Sequence, residues 1–537
     1  MSYRRWYELL NEPPNVVACD AETISIKDRT ILGVGIAFNQ DEIFYLTKDD
    51  PDFMRLMQLL QRTDITKVWH NGPYDLRVLR EYNPDDTNID DTAIMSRLIG
   101  KRAVLEDACQ DAGLEGVYSA KHIQPEGRID FSKLSEETVA TKCIMDCWGT
   151  YLLREILWDD VPQKYYQTEL QVIPRLEVVS RKGVLLDQEK VTELHNYYSQ
   201  QVTMLYAQAQ EFGFNPGSPQ QVGTALAYQG CVLPFTKTWK IRTDVKALTQ
   251  QKINNPHANY IPLIDLVLNY RHYNKIKSTY LDKWVGRERA YTPLHLDAIT
   301  GRVSGTSAGK AEPDMNLTNI PRKVERGDIP TIRSCCISEY GVWKKADASQ
   351  IELRVLAHLS GDVNMQAVFD SNGSLHRDTA KRTGLSYDIS KTLNYAMIFG
   401  AEPYTISEST GYPLNEATEF IRLWMSAYPQ ASKYFQQQQY DGLQNGYVET
   451  LFGRRMPIPL DAREKHARNC TISYSVQGTA ADIFKRQILA NRINEPHTLL
   501  YVHDEHDFNQ DVPLPESLAY VSEIYTPLDE DVSKSWG

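Results

Sequence analysis

SKTLNYAMIFG, residues 390–400, decides how the rest of the chain is read. Lys391, Tyr395 and Phe399 recur at a spacing of four, which puts them along one face of a helix. Aromatic residues at that spacing usually belong to a core, but a lysine in the same stripe is unusual there. A helix face carrying an ammonium, a ring and a second ring suits a nucleotide. Phosphate would sit on Lys391, sugar and base against Tyr395, and the template side against Phe399.

Two acidic segments flank this helix. YGVWKKADAS (340–349) reads as a strand running into the helix QIELRVLAHL (350–359), so Asp347 falls at a strand-to-helix junction. LLYVHDEHDF (499–508) reads as a tight hairpin with the acidic pair Asp504 and Glu505 at its turn. Each acid alone has an ordinary explanation, a helix cap or a polar turn. Both are expected at strand ends, where sites commonly sit.

Further outward, the N-terminal part alternates strand-like runs, VVACDAE (16–22), ILGVGIAF (31–38), EIFYL (42–46) and KVWH (67–70), with helical patterns. It reads as a small α/β domain ending near residue 160. Asp20 and Glu22 share one face of a strand because side chains alternate with a period of two. Asp75, in HNGPYD after a strand, and Asp146, in the helical CIMDCWGTYLL, complete four acids in an order suited to two divalent cations. From Tyr165 to about Tyr291 the pattern is mainly helical, punctuated at FNPGSPQQ.

A chain of 537 residues implies three to four folding units, and its 42% hydrophobic and 24% charged residues place it among ordinary globular proteins. The apolar stretch in MSYRRWYELLNEPPN is too short for a signal peptide, and no run suits a membrane span, so a cytoplasmic protein without membrane contacts is expected. The eight cysteines form no CxxC pair, which argues against a zinc site or a disulfide framework. The net charge of −12 opposes nucleic-acid binding as a sum. Its distribution does not. Between residues 235 and 290, eleven Lys and Arg, among them Lys237, Lys275 and Lys277, face four acids.

Taken in order, RKGVLLD (181–187), NKIKSTY (274–280), TGRVSGTS (300–307), NLTNIP (316–321), DASQIELR, SLHRDTA (374–380), KTLNYAMIFG, GYVETLFGRR (446–455), VQGTAADIFK (476–485) and VHDE resemble the polymerase domain of family A DNA polymerases, the bacterial DNA polymerase I type in a compact, phage-like form. The acids Asp20, Glu22, Asp75 and Asp146 resemble those of the DEDD 3′–5′ exonucleases that precede many polymerases.

The resemblance implies an α+β multidomain protein: an RNase H-like α/β exonuclease domain at 1–160, then a right-hand polymerase at 161–537. Its thumb would lie at about 185–290, its palm at about 291–360 and 440–537, and its fingers at about 361–440. It further implies template-directed DNA synthesis in replication with 3′–5′ proofreading, primer-template DNA and dNTPs as partners, a helicase or single-strand-binding protein as accessory partners, and a monomer working in the cytoplasm, the host's if the chain is viral. Nothing before Asp20 is long enough for a 5′-nuclease domain.

Carried over residue by residue, Asp347, Asp504 and the Ala348 carbonyl would hold two Mg²⁺ ions, with Glu505 nearby and Lys391 as a further catalytic group. Asp20, Glu22 and Asp146 would hold two more, with Mn²⁺ as the alternative ion. Gln350, Glu352, His376, Lys391, Tyr395 and Phe399 would bind the nucleotide, Glu352 by blocking the ribose 2′-position. Arg302, Gln477 and His503 would meet the primer terminus and the minor groove, and the 235–290 segment, including Lys275 and Lys277, would grip the duplex backbone as the thumb.

The chain departs from the family at several points. Lys142 and Thr141 stand where a Tyr or His usually precedes the last exonuclease Asp, and Tyr387 where an Arg usually precedes the helix Lys by four. Ala396 replaces a Gly and Ser473 an Asn. Three rivals remain: a DEDD exonuclease whose polymerase part only binds DNA, a DNA-binding replisome scaffold with an inactive polymerase fold, and a single-subunit RNA polymerase. Asp347, Lys391, Asp504 and Glu505 oppose the first, and Glu352 with the exonuclease-like front opposes the last.

Overall fold

Apolar runs near the N-terminus become strands β1 (Val16–Thr23), β2 (Ile31–Ala37), β3 (Ile43–Thr47), β4 (Thr66–Trp69) and β5 (Ile89–Asp91). These belong to a computed structural model that describes residues 3–25, 28–114, 130–236, 238–305, 315–321, 331–460, 463–521 and 523–537. The strands form one mixed sheet in the order β3-β2-β1-β4-β5, antiparallel from β3 to β1 and parallel from β1 to β5. A short helix α1 (Pro73–Val78) follows β4, and the long α2 (Glu136–Leu157), capped by Ser135, lies on the sheet. Gly35 of β2 permits that approach: a Cβ there would sit 2.7 Å from the sulfurs of Cys143 and Cys147.

The next helix, α3 (Gln163–Lys182), ties this front to the rest of the molecule. One apolar core runs from the sheet through Tyr166, Ile173 and Leu176 of α3 to Phe484, Ile488 and Tyr501 near the C-terminus. A helical block follows, with α4 (Gln188–Glu211), α5 (Val245–Asn254) and α6 (Ile261–Ile276). Its outer part has a core of its own around Phe214, Leu226, Leu248, Ile264 and Val267.

A second sheet carries the C-terminal site. Strands β6 (Trp343–Ala348), β7 (Thr498–Val502), β8 (Glu505–Phe508) and β9 (Leu528–Ser533) pair antiparallel in the order β7-β8-β6-β9. Helices α7 (Ile351–Ser360), α8 (Leu375–Thr383), α9 (Tyr387–Ile398), α10 (Pro403–Thr410) and the 27-residue α11 (Glu464–Ala490) build the remainder.

The α+β multidomain organisation is as expected, and so are the strand-to-helix junction at Asp347 and the hairpin at Asp504. Phe399 differs: it is the C-cap residue of α9, one position beyond the last helical turn. All eight cysteines are buried and free. Among the described residues, no helix is long and apolar enough to cross a membrane.

Candidate active site

Pairing within the second sheet brings the two acids together. The β7–β8 hairpin turns at His503 and Asp504, with His503 in the left-handed region at φ 60°. The Ala348 amide at the end of β6 donates to the Asp504 carbonyl at 3.1 Å, so Asp347 and Asp504 stand at the same end of adjacent strands. Both line one cleft of about 640 Å³, as does Ala348. Burial, with the neighbouring charge of Asp347 adding to it, pushes the Asp504 carboxyl up to about 7.

Residues directly across a ladder project to the same face. Asp347 faces Glu505 on one side and Asp529 on the other. Asp529 lines the cleft and was not singled out from the sequence. Glu505, nearby as expected and directly across from Asp347, is only 4% exposed and is not among the residues lining the cleft.

Lys391, Tyr395 and Phe399 form the opposite wall, joined by Tyr387 one turn earlier. Helix α9 starts where Ser386 caps it, its hydroxyl accepting from the Ile389 amide at 3.3 Å. Tyr395 is buried enough to push its hydroxyl up to about 12, and the charges of Glu352, Asp504 and Asp347 act in the same direction.

His376, also in the cleft, has its protonation fixed by a chain of buried groups. The Trp424 indole N–H can only donate, and it reaches Asn394 Oδ1 at 2.7 Å; the Thr379 hydroxyl donates to the same oxygen at 3.0 Å. The Asn394 amide nitrogen therefore faces His376 Nδ1, at 3.1 Å, and donates to it. Nδ1 carries no proton, and the imidazole is neutral with its N–H on Nε2. Burial, helped by the Lys391 charge, brings its pKa down to about 4.

Gln350 sits at φ 53° ahead of α7, and its side-chain oxygen accepts from the Leu375 amide at 3.2 Å, fastening the start of α7 to the helix that carries His376. Glu352 is 9% exposed and ion-pairs with Arg302. Burial raises its carboxyl and Arg302 opposes the rise. Arg302 and His503 line the cleft as well.

Behind Arg302 lies a buried ionic network that sequence reasoning missed. Arg454 donates to Asp482 Oδ1 at 3.0 Å and to the carbonyls of Thr300 at 2.7 Å, Gly478 at 3.1 Å and Ile299 at 3.3 Å. Gly301, at φ +72°, lies against it; a Cβ there would be 2.7 Å from the guanidinium carbon. Asp482 also accepts from Tyr165, and Glu169 pairs with Lys485, linking α3 to α11. The segment that delivers Arg302 is thus held from below by one guanidinium.

The other residues expected to meet nucleic acid are not gathered into the cleft. Gln477 lies on α11 at 8% exposure and does not line it. Lys275 is exposed on α6, and Lys277 is paired with Asp282 at 2.8 Å. Lys237 and the residues Thr306 and Ser307 lie outside the described residues. The basic block is also less free than its charge count implied. Lys252 pairs with Asp265 and Arg289 with Glu339, and Arg271 donates to the carbonyls of Pro216 and Thr243. Lys246 reaches Glu408 of α10 at 2.7 Å, across from the helical block.

The four N-terminal acids do come together. Asp20 and Glu22 share a face of β1, the Ala21 amide donates to Asp75 Oδ1 at 3.0 Å, and Asp146 approaches from α2. Burial, then the charge of Glu22, pushes Asp20 up to about 8, and burial with the Asp20 charge holds Asp75 well above the carboxylate range. Two features depart from the expected metal pair. The Lys142 ammonium lies 2.6 Å from Glu22 Oε1 and 2.6 Å from Asp146 Oδ2. The Cys143 thiol donates to Asp20 Oδ2 at 3.3 Å. With two carboxylates already paired to an ammonium and a soft thiol against a third, the arrangement does not fit two hard divalent ions on Asp20, Glu22 and Asp146.

An antiparallel sheet with acids at one end, an α-helical wall of Lys, Tyr and Phe above it and a separate helical block beside it is a right-hand polymerase architecture. The description DNA polymerase family A matches residues 187–521, and the chain belongs to that family. Among curated proteins it is 29% identical to DNA polymerase I of Chloroflexus aurantiacus, over 91% of this chain and 56% of that protein. It is 27% identical to DNA polymerase I of Pseudomonas aeruginosa, over 93% of this chain and 60% of that protein. The chain therefore spans somewhat under two thirds of these relatives. Among solved structures, it resembles the POL domain of Pol1 from M. smegmatis in complex with DNA primer-template and dNTP, with a TM-score of 0.79 and 21% identity over 99% of this chain and 97% of that one. That likeness extends the shared fold across the N-terminal sheet.

Proposed function

We propose that the chain is a template-directed DNA polymerase, adding deoxynucleotides to a primer 3′-hydroxyl during replication, with its thumb, palm and fingers at the boundaries read from the sequence. One observation carries this reading. Asp347 and Asp504, distant in sequence, share a cleft with the Lys391–Tyr395–Phe399 face. Family membership and the M. smegmatis complex with primer-template and dNTP support it.

Lys391 takes the triphosphate, with the neutral His376 offering its Nε2 proton beside it. Tyr395 and Phe399 receive the sugar and base. Glu352, held by Arg302, fills the space a ribose 2′-hydroxyl would need. Arg302 and His503 meet the primer terminus, and minor-groove acceptors common to all correct pairs let such contacts test shape without reading sequence. Gln477, although off the cleft wall, lies on the helix that backs it.

The donor set here suits a hard cation: two carboxylates, with Asp504 raised by burial and then by the Asp347 charge, and the Ala348 carbonyl beside them. Two Mg²⁺ ions, or Mn²⁺ in their place, bound by Asp347, Asp504 and Ala348 would acidify the primer 3′-hydroxyl and neutralise the departing pyrophosphate. Asp347 and Asp504 would hold those ions at the reacting centre, and the Lys391 ammonium balances charge on the leaving side. Proofreading hydrolysis stands apart from this reading, because Lys142 already lies between the carboxylates that would serve it.

Primer extension with dNTPs and Mg²⁺ is the test. Asp504→Ala eliminates extension and leaves duplex binding intact; normal extension by that variant refutes the site. No extension by the unaltered chain, with duplex still bound, would instead identify a DNA-binding scaffold.

A further inference from the structure

The N-terminal carboxylates keep the residue types of a hydrolytic metal site but not its room. Lys142 precedes Asp146 by one helical turn on α2, so the two side chains rise from the same face. The lysine then crosses to β1 and also meets Glu22, 120 residues away in sequence. Its ammonium is nearly enclosed, with the side chain 13% exposed, and Glu22 and Asp146 are 6% and 12% exposed. The ring of Phe131 lies 5.5 Å from the nitrogen and helps to close it in.

A Mg²⁺ ion binds carboxylate oxygens at about 2.0–2.1 Å. An ion shared by Glu22 and Asp146 would need the space where the Lys142 nitrogen stands, 2.6 Å from an oxygen of each. The two cations exclude one another. Asp20, the remaining strand acid, has the fully buried Cys143 thiol at 3.3 Å, and that sulfur is a poor ligand for Mg²⁺. Lys142 also stands four residues before Asp146, where a water-orienting phenol is expected, and an ammonium held by two carboxylates can accept neither a hydrogen bond nor a proton from a water.

We propose that Lys142 is the resident cation of this site. It replaces the divalent ions, clamps α2 to β1, and leaves the N-terminal domain without metal-dependent hydrolysis of a primer end. This rests on the geometry of the front domain alone and is independent of the polymerase reading.

The experiment uses the full chain with the C-terminal site disabled as Asp347→Asn/Asp504→Asn, and follows Mn²⁺ binding by electron paramagnetic resonance and calorimetry. The expected result is no bound Mn²⁺ at millimolar concentration in that background, and at least one ion per chain once Lys142→Ala is added. The gained ion disappears again with Glu22→Gln. Lys142→Gln, which keeps hydrogen-bond donors but no charge, serves as the second variant, and circular dichroism establishes that each variant is folded. Mn²⁺ bound with Lys142 in place and lost on Glu22→Gln overturns the proposal, since the lysine then yields to metal. Failure of both folded Lys142 variants to gain an ion also overturns it, because the lysine is then not what excludes metal. A parallel incubation of the otherwise unaltered chain with a mismatched primer, metal and no dNTP should leave the primer at full length; shortening that Asp20→Ala abolishes refutes it independently.

Discussion

Replacing Tyr387 with arginine should tighten nucleotide binding. Tyr387 opens α9 one turn before Lys391 and lines the cleft, so an arginine there would point along the path assigned to the triphosphate. A hydrogen bond to a charged group contributes about 1.5–3 kcal/mol, and a guanidinium presents two donors to phosphate in one plane. Tyr387 is 46% exposed, so solvent screening lowers the gain to about 1–2 kcal/mol. Two costs oppose it. The ring packs edge-on to His376 at 6.0 Å, a contact of about 0.5–1 kcal/mol, and a cation at a helix N-terminus loses about 0.3 kcal/mol or more to the macrodipole. At about 1.4 kcal/mol per decade, the net effect lies between a slight loss and a gain of about sevenfold, with a gain of about twofold as the central value. Single-turnover extension over a range of dNTP concentrations separates the apparent Kd from the maximal rate. The expectation is a lower Kd for Tyr387→Arg, a nearly unchanged Kd for Tyr387→Phe, and a raised Kd for Lys391→Ala. A raised Kd for Tyr387→Arg with Lys391→Ala also unaffected would show that the triphosphate does not lie along this helix face.

Other perturbations test the groups that hold the site. Arg454→Met removes the partner of Asp482, which is fully buried, and should destabilise the fold by about 3–5 kcal/mol; chemical denaturation followed by tryptophan fluorescence measures it, and a loss below about 1 kcal/mol would mean the network is not what holds the Arg302 segment. His376 predicts a pH dependence. Its folded pKa of about 4 lies below the ordinary value of 6.5, so the unfolded chain takes up the proton first and stability falls as pH drops from about 6.5 towards 4. The loss is on the order of 3 kcal/mol at most. His376→Gln should flatten that part of the profile, and an identical acid limb in both proteins would show that the imidazole is not held neutral.

What the sequence disclosed and what it concealed divide by the range of the interactions involved. Strands β1 to β4 and the helix carrying Lys391 and Tyr395, with Phe399 at its C-cap, were legible because alternation and the spacing of four act over a few residues. The junction at Asp347 and the hairpin at Asp504 were legible for the same reason, and their cleft followed from a resemblance in segment order. Asp529 was not. It sits in LDEDVS, a strand with most of its side chains exposed, where one acid among several carries no local mark; only pairing with β6 places it opposite Asp347. Arg454 was equally silent, because its partners come from two distant segments, Thr300 on one side and Gly478 and Asp482 of α11 on the other.

The charge cluster of residues 235–290 shows the opposite failure. Counting it as a free basic surface assumed that each lysine and arginine faces solvent, yet Arg271 is tied to backbone carbonyls and Lys252, Lys277 and Arg289 to acids. Surface pairs of this kind are weak, about 0–1 kcal/mol each, and a polyanion can outcompete them. The exposed Lys240, Lys275 and Arg287 are paired with no acid among the described residues and would need no such exchange. Lys142 differs from the paired residues of the 235–290 segment in burial and not in kind of contact. A nearly enclosed ammonium between two carboxylates has no water to take over when a partner leaves, so breaking the pair is costly where breaking Lys277 from Asp282 is cheap. The same residue type is therefore an exchangeable surface contact in the 235–290 segment and a fixed component of the fold in the N-terminal site.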